Sequence, residues 1–172
     1  MGHEMYIKRC LELAVNGFPK ATPNPMVGCV IVREGEIIGE GYHHHFGGNH
    51  AEVNAIRSVK NKKLIPGSEL YVNLEPCAHE GKTPPCADLI VENGISKVTV
   101  STEDPNPLVK GKGIKKMVNN GIDVKVGVLA DEAVFLNRRF FTFHQLSRPY
   151  IILKWAQTKN GYMADKNNQS KW

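Results

Sequence analysis

The chain has 172 residues, 41% hydrophobic and 23% charged, which is ordinary soluble-protein composition and long enough for one full domain with some chain to spare. No apolar run approaches the roughly 18 residues of a membrane span, and Glu4, Lys8, Arg9 and Glu12 interrupt the stretch where a secretory leader would be apolar. The formal net charge of +5 favours anionic partners, but Lys and Arg are dispersed; a small phosphorylated ligand fits that charge without a nucleic-acid or membrane partner.

Ile7, Cys10, Leu11, Ala14 and Val15 recur at helical spacing before Gly17, so the chain is predicted to open with an amphipathic helix. Val27 to Val32 reads as a continuous apolar strand. The turn Arg33-Glu34-Gly35-Glu36 and a second strand over Ile37 to Tyr42 complete a hairpin. Helices are expected at Ala51–Val59, Cys86–Glu92 and Gly113–Asn119, and strands at Glu69–Leu74, Lys97–Ser101 and Ile122–Val126. A longer helix follows at Glu132–Leu146, and Arg148-Pro149-Tyr150-Ile151-Ile152-Leu153-Lys154 restarts a strand. Helices alternating with strands predict an α/β protein whose sheet is partly parallel, with helices on both faces.

The chemistry concentrates in three short motifs: His50-Ala51-Glu52, Pro76-Cys77 and Pro84-Pro85-Cys86. One imidazole and two thiolates form a zinc ligand set that leaves a fourth position for water, and Glu52 is the adjacent carboxylate to move protons. The pattern is that of zinc-dependent hydrolytic deamination of a base. Residues two apart lie about 200° around a helix axis, so His50 and Glu52 serve one site only from a helix's first turn. The prolines before Cys77 and Cys86 place both thiols near helix starts, where free N–H groups favour thiolate. Glu75 is a rival acid, but it ends a strand and is expected to bond neighbouring backbone.

Other readings stand beside this one. Cys77 and Cys86 could be core thiols or hold a structural zinc, closed by a fourth ligand from His43, His44, His45 or His79. Cys10 and Cys29 sit in apolar stretches and read as inert core thiols. Four cysteines without a disulfide framework point to reduced thiols in the cytoplasm.

The runs Thr22-Pro23-Asn24-Pro25-Met26-Val27-Gly28-Cys29-Val30, Gly41-Tyr42-His43, His50-Ala51-Glu52-Val53 and Leu74 through Cys86 resemble the deaminase domain of the RibD family of riboflavin biosynthesis. Asp104-Pro105-Asn106-Pro107 and Gly111-Lys112-Gly113 extend the resemblance, which covers residues 4 to 146. Eight residues separate Cys77 from Cys86, against the two usual in cytidine, tRNA-adenosine and guanine deaminases.

The resemblance implies a three-layer α/β/α cytidine-deaminase-like fold with a mixed central sheet. It implies hydrolysis of 2,5-diamino-6-ribosylamino-4(3H)-pyrimidinone 5′-phosphate to 5-amino-6-(5-phosphoribosylamino)uracil and ammonia. It further implies Zn2+ on His50, Cys77 and Cys86, Glu52 as proton donor, Asn24, His43, His79 and Lys82 in the substrate pocket, and a homo-oligomer. Lys82, in a loop between the two cysteines, suits a phosphate; Asn24, fixed between prolines, suits a base edge. Asp104 and Asn106 follow a strand, a position that favours facing a site, although such a stretch also forms a stiff loop unaided.

Residues 1–146 are thus expected to form the deaminase domain, and 147–172 to be the start of a truncated reductase domain. In the family that domain uses NADPH, with contacts at positions matching Ala156, Ser170 and Trp172. About 25 residues cannot form a nucleotide-binding domain, so NADPH is expected only with a complete one. Lys159-Asn160-Gly161 departs from the family's Leu-Asp-Gly. Two rival functions are another zinc deaminase acting on a free nucleotide or tRNA, and a non-catalytic zinc module. The first calls for a short Pro-Cys-x-x-Cys spacing and a basic stripe, which this sequence lacks; the second calls for a fourth protein ligand.

Overall fold

In the computed structural model, which describes residues 2–78, 84–167 and 169, five strands form one mixed sheet. They are β1 (Gly28–Arg33), β2 (Glu36–Tyr42), β3 (Glu69–Val72), β4 (Lys97–Val100) and β5 (Asp123–Val126), in the spatial order β2-β1-β3-β4-β5. β1 runs antiparallel to both β2 and β3, while β3, β4 and β5 are mutually parallel. Glu34 and Gly35, with φ of 53° and 84°, make the tight mirror-image turn that matches the twist of an antiparallel hairpin. The later strands are joined instead through helices, as parallel pairing requires.

The helices are α1 (His3–Val15), α2 (Ala51–Ser58), α3 (Cys86–Glu92), α4 (Lys112–Asn119), α5 (Ala130–Leu136) and α6 (Arg138–Leu146). β1 reads as an unbroken apolar run because both its faces are covered. Val30 and Val32 pack with Tyr6, Ile7 and Cys10 of α1. Cys29 and Ile31 turn the other way, onto Ala51, Ala55 and Ile56 of α2, Ala87 and Ile90 of α3, and Met117 of α4. The result is the expected α/β/α layering, and each fully buried Ile or Leu in it contributes about 1.5–3 kcal/mol.

Two contacts set α1 and α2 against the edge strand. A Cβ on Gly41 of β2 would stand 2.3 Å from the Ala55 nitrogen and 2.7 Å from the Ala51 oxygen, so α2 lies against bare backbone there. On the opposite face, Arg9 of α1 donates to both carboxylate oxygens of Glu40, at 2.7 and 2.9 Å.

The carboxyl-terminal stretch departs from expectation twice. The helix expected at Glu132–Leu146 is two helices, α5 and α6, broken at Asn137. That side chain is engaged with the Met26 backbone in place of solvent. The strand expected at Arg148–Lys154 does not form: residues 149–158 have no regular structure, and Ile151, Ile152 and Leu153 are largely exposed. A strand needs an edge to pair with, and among the described residues no sheet edge takes up this segment.

Candidate metal centre and its cavity

α2 and α3 start beside one another, and their first residues build the site. His50 immediately precedes α2 in extended conformation, and Glu52 is the helix's second residue, so both project from the first turn as their spacing demands. Cys86 opens α3 after Pro85. Cys77, in the loop leaving β3, is tied to that same helix start: its carbonyl accepts the Ala87 N–H at 3.0 Å and its sulfur accepts the Cys86 N–H at 3.4 Å.

His50 Nδ1 lies 3.2 Å from Cys86 Sγ and 3.6 Å from Cys77 Sγ, and the three donor atoms all fall within 4.8 Å of one another. Tetrahedral zinc, with bonds of about 2.3 Å to sulfur and about 2.0–2.1 Å to nitrogen, sets N and S about 3.6 Å apart. The side chains therefore already stand at the spacing of a shared ion. Among the described residues no further His, Cys, Asp or Glu joins the group, so His43, His44 and His45 do not close it; His79 lies outside the described residues.

The charges in the cluster are interdependent. The Cys77 thiol is pulled down to about 4, first by its hydrogen bond with Cys86 and then, against burial, by that with His50. His50 is raised to about 9, chiefly by Cys77. Cys86 is pushed up by the Cys77 sulfur and by burial. Glu52 is buried, and that burial raises its carboxyl above the ordinary glutamate range, so it holds a proton more readily than an exposed acid. Cys10 and Cys29, also raised by burial, are the inert core thiols expected.

Glu75 has a different task. Its carboxylate accepts N–H bonds from Asp104, Gly111, Gly113 and Ile114 at 2.9 to 3.2 Å, closing the start of α4, where the helix dipole favours an anion. Gly113 is pressed so closely on Pro76 that a Cβ would meet its carbonyl oxygen at 1.8 Å. The peptide ahead of Cys77 is thereby fixed from behind.

A cavity of about 300 Å³ opens on His50, Glu52 and Cys77, and Asn24, His43, Asp104 and Asn106 also line it. His43 Nδ1 is 2.9 Å from the Asn49 carbonyl, which only accepts, so Nδ1 carries the proton and Nε2 accepts from Asn24 Nδ2 at 3.1 Å. Both imidazole nitrogens are thus engaged within the protein. Burial accordingly lowers the His43 pKa. Asp104 is buried, raised by that burial, and accepts the Asn106 N–H at 2.8 Å. Lys82, Ser170 and Trp172 lie outside the described residues, and Ala156 is exposed in the irregular tail. Sequence reasoning missed Phe140 of α6, which also lines the cavity.

Residues 1–102 match the family described as the cytidine and deoxycytidylate deaminase zinc-binding region. The chain is 45% identical over 141 residues to the diaminohydroxyphosphoribosylamino-pyrimidine deaminase of Buchnera aphidicola subsp. Schizaphis graminum, covering 82% of this chain and 95% of that protein. It is 51% identical over 167 residues to the riboflavin biosynthesis protein RibD of Aquifex aeolicus, covering 97% of this chain and 46% of that one. The crystal structure of a diaminohydroxyphosphoribosylaminopyrimidine deaminase/5-amino-6-(5-phosphoribosylamino)uracil reductase from Thermotoga maritima superposes with a TM-score of 0.92 at 48% identity, over 99% of this chain and 49% of that one. The chain belongs to the zinc-binding deaminase family, in its riboflavin-biosynthesis branch. It spans about half the length of the RibD proteins it matches. Among the described residues no helix is long and apolar enough to cross a membrane.

Proposed function

We propose that the chain hydrolyses the 2-amino group of 2,5-diamino-6-ribosylamino-4(3H)-pyrimidinone 5′-phosphate, giving 5-amino-6-(5-phosphoribosylamino)uracil and ammonia. The observation that carries this reading is the convergence of His50 Nδ1 and the Cys77 and Cys86 sulfurs beside a buried Glu52 on a cavity wall. The substrate follows from similarity to the Buchnera deaminase, nearly all of whose length this chain matches.

His50, Cys77 and Cys86 would hold zinc, which when bound supplies Lewis acidity and makes a water more acidic. Glu52 takes a proton from a water in the cavity as the water oxygen attacks C2, and delivers it to a ring nitrogen. It then takes the proton of the new hydroxyl group and delivers it to the departing amine, so the C2–N bond breaks as ammonia leaves and C2 becomes a carbonyl. Its burial, which raises its carboxyl, suits a group that alternately holds and releases a proton. Asn24, Asp104 and Asn106 line the cavity and are assigned to the substrate; His43, with both nitrogens occupied, acts by orienting the Asn24 amide. His79 and Lys82 keep their assignment from the family resemblance, Lys82 for the phosphate.

Residues 1–146 are taken as the deaminase domain and 147–172 as the opening of a reductase domain. NADPH, with Ala156, Ser170 and Trp172, belongs to a complete reductase only. A homo-oligomer in the cytoplasm is part of the same reading. The test is ammonia release from the pyrimidinone phosphate by purified protein, before and after chelation, with zinc measured in the same samples and dCMP as control substrate. Turnover that survives complete zinc removal, or a preference for dCMP, overturns the proposal.

A further inference from the structure

The family match ends at residue 102, yet the cavity has a wall from much later in the chain. Asn137, at the break between α5 and α6, is 4% exposed, and its amide bonds both backbone polar groups of a single residue. The Met26 N–H donates to Asn137 Oδ1 at 2.8 Å, and Asn137 Nδ2 donates to the Met26 carbonyl at 2.9 Å. A second buried amide continues the grip. Asn73, just past β3, donates to the same carbonyl at 3.0 Å and accepts the Gly28 N–H at 2.8 Å. The held segment follows directly on Asn24 and Pro25, both on the cavity wall. One turn beyond Asn137, Phe140 lines that cavity too.

We propose that Asn137 is a positioning residue of the deaminase site. By fixing the Met26 peptide it holds the Asn24 amide in the cavity in the orientation set by His43, and it ties α6, with Phe140, to that same wall. This rests on the deaminase reading above. A buried asparagine that only filled a helix break would be replaceable by any residue that fits. One that aligns a substrate contact acts through Asn24, and its loss is felt in substrate binding before it is felt in chemistry or metal content.

The experiment is a double-mutant cycle of Asn137→Ala and Asn24→Ala in the zinc-loaded protein, read by KM and kcat for ammonia release. Asn137→Ala is expected to raise KM about tenfold, the loss of one to two hydrogen bonds, with kcat within about threefold and zinc content unchanged. In the Asn24→Ala background it is expected to change KM little, because residues coupled through one backbone segment are non-additive where independent ones add. Asn137→Asp keeps the acceptor for the Met26 N–H and is expected to fall between, which serves if the alanine variant does not fold. The side-chain amide NMR signal of Asn24, read without substrate, is expected to shift in both Asn137 variants. Equal effects of Asn137→Ala in the two backgrounds, an unchanged KM, or an unmoved Asn24 signal overturns the proposal. Failure of the wild-type protein to release ammonia sinks the deaminase reading alone, and the NMR signal still decides whether Asn137 positions Asn24.

Discussion

Glu52 and Glu75 are both buried carboxylates near the same cysteine, and their surroundings give them opposite roles. Glu75 spends its side chain on four backbone donors and so caps the start of α4. Glu52 is raised by burial and faces the cavity, where the proposed reaction has it exchange protons. Glu52→Gln is therefore expected to retain zinc while ammonia release falls about 10²–10⁴-fold; parallel metal analysis and turnover check it. Glu75→Ala strands several buried N–H groups and is expected to cost about 3 kcal/mol in denaturant unfolding, with weaker zinc retention because Pro76 and Cys77 follow directly. The convergence of His50, Cys77 and Cys86 beside Glu52 was legible in the sequence because their spacing admits few geometries. Asn137 was not, because its partner peptide lies 111 residues away and no periodicity encodes so distant a bond. The one hint was an asparagine, a weak helix former, in the middle of an expected helix.

The elements that carry the site are held by close backbone approach and by ion pairs between elements, Arg9 with Glu40 and Lys116 with Asp88. Gly41 lets α2, bearing His50 and Glu52 at its start, sit directly on β2. Gly41→Ala is expected to push the helix away, destabilise by about 1–3 kcal/mol, and weaken zinc binding in a competition titration with a chromophoric chelator. Arg9 and Glu40 join α1 to the same strand, and the Arg9 guanidinium, bonded also to Glu12, holds the Glu40 carboxyl below its usual range. A lowered carboxylate stabilises the fold above its unfolded pKa, and that contribution fades as pH falls from the ordinary glutamate value through the lower folded one. Both side chains are partly exposed, so the pair is worth about 0.5–1 kcal/mol. Glu40→Gln is expected to lower Tm slightly at pH 7 and to flatten its fall in the acid range, as thermal scans from pH 3 to 7 will record. The hairpin and the unbroken apolar run of β1 were readable from apolar pattern and turn chemistry. The irregular tail was not, because an apolar β-prone run reads the same whether or not an edge exists to receive it.

For the whole molecule, an ion shared by His50 from the start of α2 and by Cys77 and Cys86 from the β3–α3 region would cross-link distant parts of the chain. At free zinc about a thousandfold above Kd this linkage is worth about 4 kcal/mol, and chelation is expected to lower Tm by about 8–16 °C for a chain of this size. Readdition of zinc should restore both the transition and the activity. Removal of residues 147–172 is expected to leave Tm within about 2 °C and turnover unchanged, because the described side chains of that stretch are nearly all exposed; calorimetry and the ammonia assay check it together.

Ile151, Ile152, Leu153 and Trp155 lie 59% to 78% open to water in one short run that, among the described residues, pairs with no strand. Such a segment offers a sticky template to its own copies. Concentrated solutions of the protein will therefore scatter light increasingly with concentration and with sulfate, which strengthens apolar burial. Ile152→Lys will clear them without touching ammonia release, and the protein's colloidal behaviour will be set by a handful of side chains remote from the deaminase cavity.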